Sequence, residues 1–347
     1  MSVPRFEPLL TDRLTIRPLR PDDVDPLWKR RNDTSTAEFQ NWTLPYPKEK
    51  AQQLVDEMVG FDAAPPPDGW IQFAIDDAVT GLPIGDLALG LTFAGRCAEI
   101  GWSIDATQRG RGVATEAAAT LVTWLFESVG VTRVQAMTHP DNLASVRVAE
   151  RIGMVFEGHT RNSYWVGDEN SDDWIFAMTR DDWTAWVARS SVPPTAVGFV
   201  EITRENLVPV ERMATHRSQQ RFVSTVPQSF ADALVPKIRG GEPVVSWYRG
   251  VEADGELVGF VMATEPTPGQ SGFYLRRLLI DRMHQRRGIG GRVLDLLIER
   301  ARSLGADALH LSWVDGPGSP APLYVGRGFE PTGEFDEGET VARLDLS

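Results

Sequence analysis

The chain is poor in the residues that build disulfide frameworks, metal sites and nucleic-acid surfaces. Cys97 is the only cysteine among 347 residues, which excludes an intrachain disulfide and makes a reducing compartment the expected setting. The five histidines are scattered without metal-ligand spacing, so no metal is expected. Basic residues are outnumbered, 35 Lys and Arg against 48 Asp and Glu, for a net charge of −13. Neutralising nucleic-acid phosphates requires clustered Lys and Arg, so no nucleic-acid partner is expected. No run approaches the roughly 20 apolar residues that cross a bilayer. The first residues carry Arg5, Glu7 and Asp12 where a signal peptide would have an apolar core. No membrane partner is expected, and the expected location is the cytoplasm.

What the chain does contain is one motif twice. Gln108-Arg109-Gly110-Arg111-Gly112-Val113-Ala114 and Gln285-Arg286-Arg287-Gly288-Ile289-Gly290-Gly291 each follow an extended apolar run and open an amphipathic helix. Both read Gln/Arg-x-x-Gly-x-Gly/Ala. Such a loop turns consecutive backbone N–H groups toward one point at a helix N-terminus, which suits a pyrophosphate. Glycine is required there because a Cβ would block the phosphates or because φ is positive.

Spacing supports a duplication. Gly112 and Gly288 are 176 residues apart, while Gly153 and Gly328, and Gly158 and Gly333, are 175 apart. That period is a domain, not a solenoid repeat of about 20–50 residues. The order of elements also repeats. Residues 98–104 read as a strand, 112–129 as a helix with Val113, Ala117, Leu121 and Leu125 on one face, 133–138 as a strand and 142–151 as a helix. In the second copy the same series reads 273–281, 288–304, 308–314 and 319–326, with a strand from Phe329. This is a mixed α/β order containing a parallel crossover. The stretch Ser190-Ser191-Val192-Pro193-Pro194-Thr195 separates the copies, giving expected domains 1–190 and 191–347. The first carries 18 basic and 28 acidic residues and the second 17 and 20, net −10 and −3. That acidity suits either solubility or a cationic substrate.

Both halves resemble the GNAT (Gcn5-related) superfamily of acyl-CoA-dependent N-acyltransferases, whose signature is this loop. The first half is similar to the ribosomal-protein N-terminal acetyltransferase branch through Leu10-Thr11-Asp12-Arg13-Leu14-Thr15-Ile16-Arg17-Pro18, Ala114-Thr115-Glu116-Ala117, Asn142-x-x-Ser145 and Glu150-Arg151-Ile152-Gly153. The second is similar to diamine and polyamine (spermine/spermidine) acetyltransferases through Gln219-Gln220-Arg221-Phe222-Val223, Leu278-Leu279-Ile280-Asp281, Leu323-Tyr324, Gly328-Phe329, Thr332-Gly333-Glu334 and Gly338-Glu339. The resemblance implies two tandem domains, each a mixed, mostly antiparallel central sheet flanked by helices. It implies acetyl transfer from acetyl-CoA, by direct attack in a ternary complex, to a small-molecule or peptide amine. Candidate acceptors are a small amine, a polyamine, an amino antibiotic or a protein N-terminus. The alternative is that only one copy is catalytic and the other is a structural or CoA-sensing module.

The resemblance also assigns residues. The cofactor would lie on Arg109, Gly110, Arg111, Gly112, Val113, Ala114 and Thr115 with Asn142, and on Gln285, Arg286, Arg287, Gly288, Ile289, Gly290 and Gly291. An alkylamine arrives protonated at neutral pH, so a base must take its proton and an acid must meet the departing thiolate. In the first copy Glu99 is the candidate base and Ser145 the candidate acid; the alternatives are a strand carboxylate beside Arg96 and a first-turn serine behind an Asp141 or Asn142 cap. In the second copy Tyr324 is the candidate acid, and the aligned first-copy residue is Ala149. Pro317 and Pro320 lie where the family places an asparagine, and Glu339 or Glu265 could serve as base or as an anchor for an ammonium. Trp42, Trp70 and Trp247 would line acceptor clefts, whereas Trp124, Trp174, Trp183 and Trp186 have core spacing.

Overall fold

Apolar residues recurring every second position, as in Ala98-Glu99-Ile100, place one face of each strand in a core and leave the other to neighbours or solvent. The computed structural model describes residues 6–60, 69–166, 168–239, 242–267 and 272–347. They form two compact units, Met1–Val187 and Ala188–Ser347.

The first unit contains strands β1 (Leu9–Leu10), β2 (Leu14–Pro18), β3 (Trp70–Asp77), β4 (Pro83–Thr92), β5 (Cys97–Ile104), β6 (Arg133–Thr138), β7 (Val155–Val166) and β8 (Glu169–Thr179). Helices α1 (Val24–Arg31), α2 (Thr34–Ala37) and α3 (Lys48–Met58) precede β3, α4 (Val113–Trp124) and α5 (Leu143–Arg151) flank β6, and α6 (Arg180–Ala188) follows β8. The sheet order is β1-β2-β3-β4-β5-β6-β8-β7, antiparallel throughout except for β5 against β6. The expected helix face is buried: Val113 is 6% exposed, and Ala117, Leu121 and Leu125 are 0%. The expected helix to 129 finishes as a π turn over Leu125–Val129, closed by the Gly130 N–H on Leu125 O at 2.9 Å.

The second unit repeats this plan. It has β9 (Val197–Val200), α7 (Leu207–Glu211), α8 (Val226–Leu234), a small hairpin of β10 (Ile238–Arg239) and β11 (Glu242–Pro243), then β12 (Ser246–Ala253), β13 (Glu256–Thr264) and β14 (Phe273–Ile280). Next come α9 (Ile289–Ser303), β15 (Ala308–Trp313), α10 (Ala321–Val325), β16 (Glu330–Asp336) and β17 (Glu339–Asp345). Its sheet runs β16-β17-β15-β14-β13-β12-β9, and only β14 against β15 is parallel. Mixed, mostly antiparallel sheets flanked by helices are the architecture that the resemblance implies.

One buried ion network fixes the first unit's N-terminal strand. The Arg17 guanidinium donates to Asp76 at 2.5 and 2.9 Å and to Asp23 at 2.7 and 2.9 Å, and all three residues are about 5% exposed or less. Removing the cation leaves two buried carboxylates facing each other, so Arg17→Met should cost about 3–5 kcal/mol. Denaturant unfolding of the full chain reads this directly, and a cost below about 1 kcal/mol would show the network to be open to solvent.

Candidate active site

The duplicated loop has the same backbone geometry in both units. Gly112 (φ +81°) and Gly288 (φ +74°) are the left-handed N-caps of α4 and α9. The preceding left-handed position is Gly110 (φ +75°) in the first loop and Arg286 (φ +64°) in the second. A left-handed residue here reverses the chain so that the helix starts immediately after it. Backbone bonds begin with Glu116 N–H to Gly112 O (3.0 Å) and Arg292 N–H to Gly288 O (3.3 Å). The amides of Val113, Ala114 and Thr115, and of Ile289, Gly290 and Gly291, therefore lack an intrahelical acceptor. Such a set of donors at the positive end of a helix fits a diphosphate.

The side chains of the loops serve the scaffold. Arg109 Nε donates to Ile104 O at 3.2 Å, and Gln285 Nε2 donates to Ile280 O at 3.0 Å, so the same position ties loop to strand end in both units. Arg109 also reaches Ser35 and Thr36, while Gln285 exchanges amide hydrogen bonds with Gln219. Arg111 is exposed and bonds to Gln108. Arg287 differs from its expected role: it is 7% exposed, donates to Val192 O at 2.9 Å and lies outside the cleft lining. A Cβ on Gly291 would fall 2.0 Å from the Arg327 guanidinium crossing the helix start, so a larger residue there would displace that flexible side chain. The second helical turn is pinned differently in each unit. Glu116 accepts from Thr11 and Arg13, and Arg292 donates to the carbonyls of Pro194 and Thr195. Burial opposes the Glu116 charge, but those hydrogen bonds hold its carboxyl below the usual range.

Each unit also opens its sheet at one place. The parallel pairing of β5 with β6 lasts three residues, ending at Glu99 opposite Gln135. That of β14 with β15 also lasts three, ending at Leu275 opposite Leu311. Beyond these pairs the strands part while each keeps its antiparallel neighbour, and a cleft begins there.

In the first unit the cleft has a volume of about 970 Å³ and is lined by Glu99, Asn142 and Ser145 together with Trp42 and Trp70. Gln135 Nε2 donates to Glu99 Oε2 at 2.9 Å, which orients the carboxylate. Asn142 caps α5 by accepting from the Ser145 N–H at 3.1 Å, and both residues line the cleft. Tyr164 and Asp173 close the far wall, and burial first, then the Asp173 charge, raises the Tyr164 phenol above its ordinary value. Thr138, 6% exposed, lines the cleft with a buried hydroxyl that has no hydrogen-bond partner.

In the second unit one cleft of about 640 Å³ runs from Gln285, Arg286, Gly288, Ile289, Gly290 and Gly291 to Tyr324 and Glu339. Tyr324 is 8% exposed, packed against Trp313 at 6.0 Å and Phe329 at 6.1 Å between ring centroids. Burial, with the Glu339 charge added, pushes its phenol up to about 12, so it holds its proton throughout the neutral range. Glu339 Oε2 accepts from Ser312 Oγ at 2.5 Å. Glu265 is bound instead by Arg300 at 2.7 Å, away from the cleft. Trp247, expected in a cleft wall, packs on Phe199 with the Arg300 guanidinium 4.5 Å from its ring, outside the cleft lining.

Residues 13–155 match the model for the acetyltransferase (GNAT) domain, and residues 211–329 match that for the acetyltransferase (GNAT) family. The chain is a tandem GNAT N-acetyltransferase. The GNAT reaction class, acetyl transfer from acetyl-CoA to an amine, is therefore that of this chain. It is similar to the uncharacterized N-acetyltransferase YnaD of Bacillus subtilis (strain 168), 25% identical over 178 residues, 50% of this chain and 98% of the relative. It is also similar to the uncharacterized N-acetyltransferase p20 of Bacillus licheniformis, 24% identical over 180 residues, 51% of this chain and 99% of that one. The spermidine N-acetyltransferase from Vibrio cholerae, solved with CoA and spermine, superimposes with a TM-score of 0.44 and 17% identity, covering 50% of this chain and 99% of that one. Among the described residues no helix is long and apolar enough to cross a membrane, and no cluster of His, Cys, Asp and Glu could hold a metal ion.

Three residues at the clefts escaped sequence reading: Gln135, which holds Glu99, and the lining residues Ser312 and Thr138. Strand alternation places each on a face, but only the cross-strand register brings them to the cleft.

Proposed function

We propose that each GNAT unit transfers an acetyl group directly to an amine bound in its cleft, with 1–190 and 191–347 acting as separate catalytic domains in the cytoplasm. This reading is supported by the presence in each unit of a helix-start amide cluster and of a cleft at the end of the parallel strand pair; the loop lines the cleft in the second unit, whereas in the first the lining holds Glu99, Asn142 and Ser145 but none of residues 109–115. The backbone amides of Arg109, Gly110, Arg111, Gly112, Val113, Ala114 and Thr115, and of Gln285 through Gly291, would hold the CoA diphosphate, with the Arg286 side chain in the lining of the second cleft. Acetyl-CoA, when bound, supplies the activated thioester.

In the first unit, Glu99 receives the ammonium proton of the acceptor and the Ser145 hydroxyl delivers a proton at the departing sulfur, while Asn142 contacts the cofactor arm. In the second unit the Tyr324 hydroxyl is the proton donor at sulfur, since a phenol kept neutral remains a stronger acid than the neutral serine hydroxyl. Glu339, held by Ser312, is the carboxylate placed to receive the acceptor's proton or to hold a distal ammonium. Glu99→Gln should lower the first unit's turnover by about 10²-fold or more without weakening CoA binding. An unchanged rate would remove Glu99 from the mechanism.

A second reading has its own support: the strand position of Glu99 is Leu275 in the second unit, and the helix position of Tyr324 is Ala149 in the first, 175 residues earlier. Two sites with no shared acid or base fit divergent acceptors, or one unit retained as a scaffold or CoA sensor. Free-thiol release from acetyl-CoA separates these, measured on the full chain and on Gly112→Glu and Gly288→Glu forms across diamines, amino acids, aminoglycosides and N-terminal peptides. Release lost in one variant and unchanged in the other assigns catalysis to one unit. Binding of CoA without release on any amine would refute catalysis by either.

A further inference from the structure

The first unit's cleft contains one arginine that the fold leaves without an anion. Arg31 ends α1, and its guanidinium lies 4.3 Å from the Trp42 ring centroid and 5.2 Å from that of Tyr46. Both rings line the cleft with it. The platform is fixed from behind: Trp42 Nε1 donates to Arg31 O at 2.9 Å, and the Tyr46 N–H donates to Asn32 Oδ1 at 3.0 Å. Stacking of this kind holds the guanidinium plane while leaving its N–H edge to a ligand. No carboxylate of a described residue lies within ion-pair distance of this guanidinium; Nε itself is buried, so its terminal N–H groups are the ones a ligand in the cleft would meet. Neighbouring arginines differ, Arg17 and Arg30 each holding two carboxylates.

The other charged side chains of the lining are carboxylates. Glu38, Asp86, Glu99, Glu169 and Asp173 line the same space, and among the described residues Arg31 is its only Lys or Arg. Asp86 is neutralised by Arg30 at 3.0 Å, and the others suit a cation. A single cation on an aromatic platform among several carboxylates fits an acceptor with one positive and one singly negative end. A phosphate dianion would be repelled by the same carboxylates. We propose that the first unit's acceptor is a small amine that also carries a carboxylate, with the carboxylate on Arg31 and the amine toward Glu99. This rests on the reading of the cleft as the acceptor site, and it separates that acceptor from simple diamines and polyamines.

The test is calorimetric binding to the full chain saturated with CoA, using pairs that differ by one carboxylate: lysine against cadaverine, and ornithine against putrescine. The carboxylated member should bind the first unit about tenfold tighter or better, the worth of a charge-assisted hydrogen bond. Arg31→Met should erase that preference while leaving CoA affinity and the thermal midpoint unchanged, and Arg31→Lys should keep part of it. Equal or tighter binding of the diamines, a preference that survives Arg31→Met, or no binding of lysine and ornithine would overturn the proposal. So would tighter binding of phosphoethanolamine, or of an N-terminal peptide with an acidic second residue. Carboxylate-dependent binding without thiol release would sustain this inference while defeating the catalytic reading.

Discussion

Gly288→Glu is expected to abolish CoA binding by the second unit, and Gly112→Glu should do the same in the first. Two effects combine at each position. The native φ is +74° at Gly288 and +81° at Gly112, a region where an L-residue is strained by about 1–2 kcal/mol. The larger effect is electrostatic, since a carboxylate at the N-cap competes for the amides of residues 289–291 or 113–115 and repels a diphosphate. No side chain crowds either glycine, so folding should survive: nothing lies within 4 Å of a Cβ on Gly288, and at Gly112 only the flexible Arg13 guanidinium does, at 3.7 Å. The affinity of the altered unit should fall by about 10²-fold or more, the scale of several charge-assisted hydrogen bonds lost together. Gly288→Ala supplies the control, since it adds the strain without the charge and should weaken binding much less. Equal losses in both substitutions would assign the effect to backbone strain.

Tyr324→Phe carries the second large expected effect. The substitution removes one oxygen from a ring packed between Trp313 and Phe329, so packing and stability should change little. If the hydroxyl delivers the proton to the leaving sulfur, the second unit's kcat should fall by about 10²–10⁴-fold while KM for acetyl-CoA stays near its original value. Because burial keeps the phenol neutral up to about 12, the unaltered enzyme should retain its proton donor across neutral and mildly alkaline pH. Loss of folding, or a fall confined to KM, would make Tyr324 a core tyrosine with no part in proton transfer.

The parts legible in the sequence were those fixed by local chemistry. A left-handed glycine before an apolar helix leaves its mark in a few adjacent residues, and both loops, their helices and the strands on either side lie within a residue or two of the positions read from periodicity. Asn142 was legible as a cap for the same reason, and its Oδ1 does receive the Ser145 N–H. What depends on distant partners was not legible. Arg109 and Arg287 read as phosphate ligands because basic residues beside a glycine loop suggest anions. Their long-range partners, Ser35, Thr36 and Val192, lie roughly 75 to 95 positions away. Trp247 and Glu265 went astray similarly, each captured by Arg300. The most informative contrast between the copies, Glu99–Gln135 against Leu275–Leu311, appears only once the parallel register is known.

Isothermal titration of the full chain with CoA tests the central claim most directly, because its stoichiometry counts competent loops. Two sites per chain are predicted, falling to one in either Gly→Glu variant and to none in the double variant. A single site that neither substitution alters, or no heat at all from a folded chain, would contradict the assignment of both glycine loops to the cofactor.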